Sequence, residues 1–366
     1  MYRAGIRELK LTNKRFGERY YVITRRVVGE ILQSYLSLYG PDSLVESMAE
    51  PYFLDFLLVA SGLDELEGDS TLIMGAILKE TLNPQSGVAV LGGKSLSRFD
   101  VPKELAGIAE HFGLSERWVQ YLLYCSRMVS KIDSVALQDG YDLYFHIMLL
   151  SRSRIWTIIQ LSREPYSTNA RRYHWFSGNV KSFVDEPHNG ILAVEKKPIV
   201  LDMTARDSAE ARRTSVELLE WEPSKLRRLQ TYFRMHKQTK LTQDPNHVEY
   251  VVFLTPRGSI NWKLLQRLHS SPPRDYEQLL AVRGVGREIV KLLALGSMIY
   301  YETSPSFRDP AILAEELVDR YGSAEILWRL QQVVDSINAS DLVEAEKRRA
   351  LARLGDAFGE LDGVAG

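Results

Sequence analysis

Apolar residues recur at helical spacing from Arg25 onward. Val27, Ile31, Leu32, Tyr35 and Leu38 fall on one stripe, which predicts an amphipathic helix near the start of the chain. Gly40-Pro41-Asp42 ends that stripe and begins another, since glycine suits a helix end and proline suits a first turn. Further helices are expected over 42–49, 52–61 and 71–82, and Asn83-Pro84 closes the block. A short apolar run at 88–91 precedes Gly92-Gly93-Lys94-Ser95, and helical patterns return over 102–112 and 116–132.

The pattern changes after Asp133. Residues 141–150 and 155–160 are rich in aromatic and β-branched side chains and are joined by a polar Ser-Arg-Ser-Arg turn, so an antiparallel pair is expected. Residues 191–202 predict a second pair, interrupted at Lys196-Lys197-Pro198. From Ala205 the chain reads as helical, apart from loops near Pro245, Pro256 and Pro272-Pro273, with 248–254 ambiguous. The expected fold is an α+β domain over 1–203, helices plus a small antiparallel sheet, followed by an all-α domain over 204–366.

Within that second domain, 276–295 predicts two short helices joined at Gly284-Val285-Gly286, the pattern of a helix-hairpin-helix. The glycines allow a tight turn and close approach, leaving the first amides of the second helix facing an anion; a DNA phosphate is the expected one. Arg283, Arg287 and Lys291 add charge, while Leu279, Leu280, Ile289, Leu292 and Leu293 supply the packed side. An ordinary glycine corner between two helices is the competing account.

Composition narrows the class. With 366 residues, 45% hydrophobic and 25% charged, the chain has the material for at least two cores. A net charge of −1 gives no global attraction to nucleic acid, so binding would need local patches. Two stand out: 224–241, with Lys225, Arg227, Arg228, Arg234, Lys237 and Lys240 and no acid, and 151–175, with five arginines against Glu164. The single cysteine, Cys125, excludes an internal disulfide and is expected to be buried and inert. No apolar run approaches a membrane span and the first residues are charged, so a cytoplasmic protein is expected.

Gly92-Gly93-Lys94-Ser95 is a near miss for a phosphate-binding loop, because Val88 stands where that loop needs glycine; Lys94 remains a candidate phosphate contact. Richer chemistry lies between 138 and 175. Strict alternation would put Asp142, Tyr144 and His146 on one strand face. Asp142 and His146, with Asp139, Gln160 and His174, form the candidate catalytic set, and Asp139 with Asp142 the candidate ligands of a divalent metal such as Mg or Mn that would activate water. Arg171 and Arg172 would stabilise developing phosphate charge. The plainer account makes Asp139-Gly140 a turn, His146 a core histidine and the arginines a surface pair.

Several segments carry a specific likeness: 126–144, Ala170-Arg-Arg-Tyr-His-Trp175, Val184-Asp-Glu-Pro-His188, Leu201-Asp-Met-Thr-Ala205, Arg283-Gly-Val-Gly286 and Pro305-Ser-Phe-Arg-Asp-Pro310. From roughly Ala4 to Asp309 the chain resembles the archaeal and bacterial family called domain of unknown function 763. The resemblance implies an intracellular, thermophile-associated protein with DNA-processing activity. Thr12, Leu161-Ser162 and the absence of a glycine-rich stretch after Pro310 depart from that family pattern.

The helical domain is also similar to helix-hairpin-helix DNA glycosylases, which would give Asp309 a role in activating water or stabilising a sugar cation after base flipping. Asp309 before Pro310 also reads simply as a helix N-cap. The expected function is therefore a DNA-processing nuclease that grips duplex backbone. A monofunctional glycosylase and a non-catalytic DNA or chromatin-binding module are the alternatives.

Overall fold

The computed structural model describes residues 17–65, 70–94, 101–235 and 245–359. Thr12, Ser95, Lys237, Lys240 and the side chain of Arg234 lie outside the described residues. The first helix, α1 (Glu18–Ser47), kinks at Gly40, whose φ of 84° breaks the helical path where the Gly-Pro-Asp signal predicts an end. Helices α2 (Pro51–Ser61) and α3 (Ser70–Thr81) follow, then strand β1 (Val88–Gly93) from the predicted apolar run.

Helices α4 (Val101–His111) and α5 (Glu116–Lys131) come next; Ser115 caps α5, and its Leu122, Cys125, Met128 and Val129 face inward at helical spacing. Five strands build the sheet in the order β1, β3 (Asp142–Ser151), β4 (Trp156–Arg163), β5 (Ala170–Phe176), β6 (Gly190–Ala193), every neighbouring pair antiparallel. The predicted hairpin of β3 and β4 forms, with Arg154 at φ 72° in its turn. The second predicted pair does not: β6 joins β5, while β7 (Leu201–Asp202) joins β2 (Leu137–Gln138) in a separate two-stranded ladder. Pro198 has no N–H to give a ladder, and the intervening segment leaves the sheet.

The remaining helices are α6 (Ala209–Glu217), α7 (Pro223–Met235), α8 (Pro245–Leu254), α9 (Trp262–Ser270), α10 (Tyr276–Ala281), α11 (Arg287–Tyr301), α12 (Leu317–Tyr321), α13 (Ser323–Ala339) and α14 (Glu344–Phe358). The ambiguous 248–254 stretch is therefore helical. Helices at the N-terminus with a small antiparallel sheet, then a helical C-terminal region, is the fold class the pattern predicts. None of the described helices is long and apolar enough to cross a membrane.

Sheet alternation divides the interior in two. Ala89, Leu91, Met148, Leu150, Ile158, Tyr173 and Trp175 face one core with α5 and α11; Val88, Val90, Ile147, Leu149, Ile159 and Leu192 face the other with α1, α2 and α3. Helices α13 and α14 return to that second core against α1 and α2, Phe358 meeting Phe56 edge-on at 4.8 Å. Each core thus draws on residues from both sides of Met203. Leu150 and Leu58 are fully buried on their respective sides, and truncating either to alanine is worth roughly 2–5 kcal/mol. The 306–312 segment covers two strand edges: Ile312 bridges Leu192 of β6, and Ser306 bridges Asp202 of β7.

Candidate functional site

Strand β5 places Arg171, Tyr173 and Trp175 on the face toward α5, and each is wholly buried. The Arg171 guanidinium bonds Asp139 at 3.0 Å and grips Asp309 with both terminal nitrogens, while its plane lies 4.6 Å from the Tyr141 ring. Tyr173 donates to the same Asp139 oxygen at 2.5 Å. Burial alone would lower the pKa of Arg171, but the two carboxylates outweigh it and raise the pKa. Asp309 also accepts from the Lys197 amide at 2.5 Å and the Ala311 amide at 3.0 Å. It closes a turn rather than capping a helix, since the next helical residue is Ala314.

A second buried acid lies beside this network. After Lys131 the helix relaxes into a π-turn, Ile132–Ala136, which carries Asp133 inward. Its carboxylate accepts from Trp175 Nε1 at 3.0 Å and pairs with His188 Nε2 at 2.6 Å. Burial raises the Asp133 pKa, and the contacts with His188 and Trp175 oppose that rise. The His188 ring packs 4.4 Å from the Trp175 ring, and its loop is fixed by the Glu186 amide on the Thr204 carbonyl, with Glu186 at φ 44°. No hydrogen bond among the described residues reaches His188 Nδ1.

His188, Asp202 and Asp309 line one cleft of about 680 Å³, together with Arg308 and Arg320 and the carboxylates of Glu316 and Asp319. Asp202 accepts from the amide and hydroxyl of Thr204 and the amide of Ala205; burial raises its pKa, and those bonds and the neighbouring His188 oppose the rise. The segments 184–188, 201–205 and 305–310 thus meet at this cleft.

Helices α10 and α11 are joined by a short turn at the surface. Gly284 is exposed at φ 98°, which requires glycine, whereas Gly286 is extended and a side chain there would meet nothing within 4 Å. Among the described residues the amides of Gly284, Gly286 and Arg287 find no acceptor. Leu264 of α9 lies under Gly284, and Trp262 at the start of α9 carries the Arg227 guanidinium of α7 over its ring at 4.8 Å. Helices α7 and α9 contain no carboxylate and expose Lys225, Arg227, Arg228, Lys263 and Arg267.

The family model described as "Protein of unknown function (DUF763)" matches residues 5–325. The chain belongs to this family. No curated protein and no solved structure matches it.

In this DUF763 chain the residues singled out from sequence separate into distinct places. Asp139, Arg171 and Asp309 come together as described. His146 and Gln160 form a row inside the sheet, with Gln160 Nε2 donating to His146 Nδ1 at 2.6 Å and Ser126 beside Nε2 at 3.0 Å. Burial pushes the His146 pKa down to about 3. Arg172 and His174 point to the opposite core: Arg172 pairs with Asp55 at 2.5 Å, and His174 meets the Met48 carbonyl at 3.2 Å, burial and then Arg172 driving its pKa down. Asp142 does not share a face with His146, because a bulge at Tyr144 shifts the register between Leu143 and Phe145.

Asp142 instead binds Arg287 at 2.8 Å, and Arg287 also donates to the carbonyls of Ser134 and Tyr141. Lys291 lies 4.6 Å over the Phe253 ring, where burial lowers its pKa. Lys94 and Arg283 are exposed. Among the described residues no three His, Cys, Asp or Glu side chains gather as a metal-binding group, and Asp139 and Asp142 are held by different arginines. Sequence reasoning missed Asp133, Asp202, Trp262 and the role of His188. Asp133, His188 and Asp202 do lie inside segments that carry the family likeness, 126–144, 184–188 and 201–205, which was the signal available for them.

Proposed function

We propose that this chain binds DNA through its phosphate backbone, as the gripping part of a DNA-processing protein. One observation carries the reading: Leu264 of α9 lies under Gly284, so the open α10–α11 turn sits against a helix that, with α7, exposes five cations and has no carboxylate of its own. Arg283, the free amides at the turn and the five exposed cations supply the contacts; Arg287 and Lys291 are engaged within the protein. Nothing in this arrangement presents a fixed donor and acceptor pattern to a base edge, so affinity without sequence preference follows.

The test is anisotropy of a labelled duplex of about 20 base pairs titrated across salt concentrations. Log affinity should fall linearly with log salt, and Arg227→Glu with Arg228→Glu should lower the slope by about 0.9 for each phosphate no longer neutralised. Binding indifferent to salt, or unmoved by the double reversal, removes the reading.

A second reading rests on the Asp133–His188 pair opening on a polar cleft. There His188 would take a proton from water through Nδ1 as the water oxygen attacks phosphorus, Asp133 holding the Nε2 proton and the resulting charge. The bond from phosphorus to the leaving sugar oxygen breaks, that oxygen takes a proton from solvent water, and His188 gives the proton it took back to solvent, completing phosphodiester hydrolysis. Incubating labelled DNA with wild type and His188→Gln, with magnesium, with manganese and with chelator, decides it: DNA left intact by wild type, or cut equally by the variant, excludes this site.

A further inference from the structure

Helix α7 sets a cation over two separate indoles. Lys225 Nζ lies 5.0 Å over the Trp221 ring and Arg227 lies 4.8 Å over Trp262. Trp221 also packs against Tyr300 with ring centres 4.8 Å apart, and Tyr300 is 42% exposed. Trp262 is half-buried at one wall of a cleft of about 790 Å³, which Arg227, Arg228, Ser224, Thr231 and Gln266 complete. Glu222 is the one carboxylate on that lining, and it faces His269 at 3.6 Å. Among the described residues Arg228 has no ion pair.

We infer that this cleft takes unpaired nucleotides, a base stacking on the Arg227–Trp262 platform while Arg228 holds the adjoining phosphate. The inference rests on the backbone-binding reading and adds the substrate class, a single-stranded segment beside the gripped strand.

The chemistry separates this from a plain phosphate patch. Phosphates need cations and amides, which α7 and α9 supply without any aromatic ring. An arginine stacked on an indole at the wall of a groove adds a flat face on which a base can stack, and the bases of an intact duplex have theirs covered by their neighbours. A half-exposed indole topped by an arginine offers a flat, charged surface that any base can cover, so recognition is tolerant of sequence. Trp221, Lys225 and Tyr300 provide a second aromatic and cationic surface at the start of the same helix, available to the next unpaired base along the strand.

The experiment uses the full chain and two labelled probes, oligo(dT) of about 12 nucleotides and a hairpin duplex without overhang, read by anisotropy at one salt concentration. Wild type should favour oligo(dT). Trp262→Ala should weaken oligo(dT) by about tenfold and the duplex by less than about twofold, while Trp262→Phe keeps oligo(dT) within about threefold of wild type. Arg228→Ala, at an exposed position that leaves the fold intact, should also weaken oligo(dT) more than the duplex, and serves if Trp262→Ala does not fold.

Equal losses for both probes, or no loss for oligo(dT), overturn the stacking site. Duplex binding without oligo(dT) binding overturns this inference and leaves the backbone reading standing. Failure of both probes to bind overturns the two together.

Discussion

His146 should make the fold sensitive to mild acid, and replacing it should remove that sensitivity. The imidazole is fully buried among Ser126, Ser130 and Gln160, and burial pushes its pKa down to about 3. In the unfolded chain it titrates near the ordinary value of about 6.5. A folded pKa below the unfolded one means that the unfolded state takes up a proton which the folded state refuses. Stability is therefore complete above pH about 6.5 and falls progressively as pH drops toward 3. At pH 4.5 the two-unit gap below 6.5 corresponds to a loss of about 2.7 kcal/mol from this residue. His146→Gln cannot titrate. At pH 7.5 it should be less stable than wild type by roughly 1–3 kcal/mol, because the Gln160 amide loses its acceptor. Urea unfolding followed by tryptophan fluorescence, at pH 7.5 and 4.5, measures both gaps. The deficit of the variant should shrink by about 2.7 kcal/mol at the lower pH and approach zero or change sign. A deficit equal at both values would refute the claim that burial keeps this imidazole neutral.

Other outcomes follow from the same geometry. Arg171→Met should destabilise by about 3–5 kcal/mol, since it strands the Asp139 and Asp309 carboxylates in the interior; a change under about 1 kcal/mol by chemical denaturation would mean they are not buried as charges. Gly190→Ala should cost roughly 1–3 kcal/mol, because the added methyl meets Tyr321 and lies 2.7 Å from Pro51, and a thermal melt matching wild type contradicts this packing. Cys125, whose pKa burial pushes up to about 12, should resist a thiol reagent in the native protein and react on unfolding; rapid native labelling would show the site to be open. Arg287→Ala, which removes the donors to the Ser134 and Tyr141 carbonyls as well as the pair with Asp142, should destabilise by roughly 1–3 kcal/mol, and a melt matching wild type would show that these bonds do not hold α11 to the 134–142 segment.

Local signals in the sequence were legible wherever one face of an element meets one core. The α1 stripe, the Gly-Pro-Asp kink and the β3–β4 hairpin follow from periodicity and turn chemistry alone. What periodicity does not carry is the partner of each element. Nothing in α13 or α14 names α1 and α2 as their docking sites, and nothing in 191–202 says that its two strands pair elsewhere. The bulge at Tyr144 is invisible to an alternation argument, and one extra residue was enough to part Asp142 from His146. The site suffers the same limit. Asp139, Arg171 and Asp309 could be singled out as charged residues, but their convergence over 170 positions of chain (309 − 139) is a property of the sheet.

Strand β5 explains why that convergence holds. Its two adjacent arginines point to opposite cores and each finds acid from a remote segment: Arg171 from Asp139 and Asp309, Arg172 from Asp55. An unpaired guanidinium in either core would cost several kcal/mol, so any packing that misplaced α2 or the 305–312 segment would leave a charge exposed to apolar surroundings. The pairs therefore act less as a source of stability than as a constraint on which segments may sit against the two faces. On the α2 side the consequence is structural alone. On the other side the constraint fixes Asp309 at the cleft wall, with the loop of Lys197 drawn in by its amide and the 305–310 turn held against Asp202. The cleft that His188 faces is thus shaped by an ion pair that has no role in the proposed proton transfer, and its geometry should fail whenever Arg171 is lost even if the chain still folds.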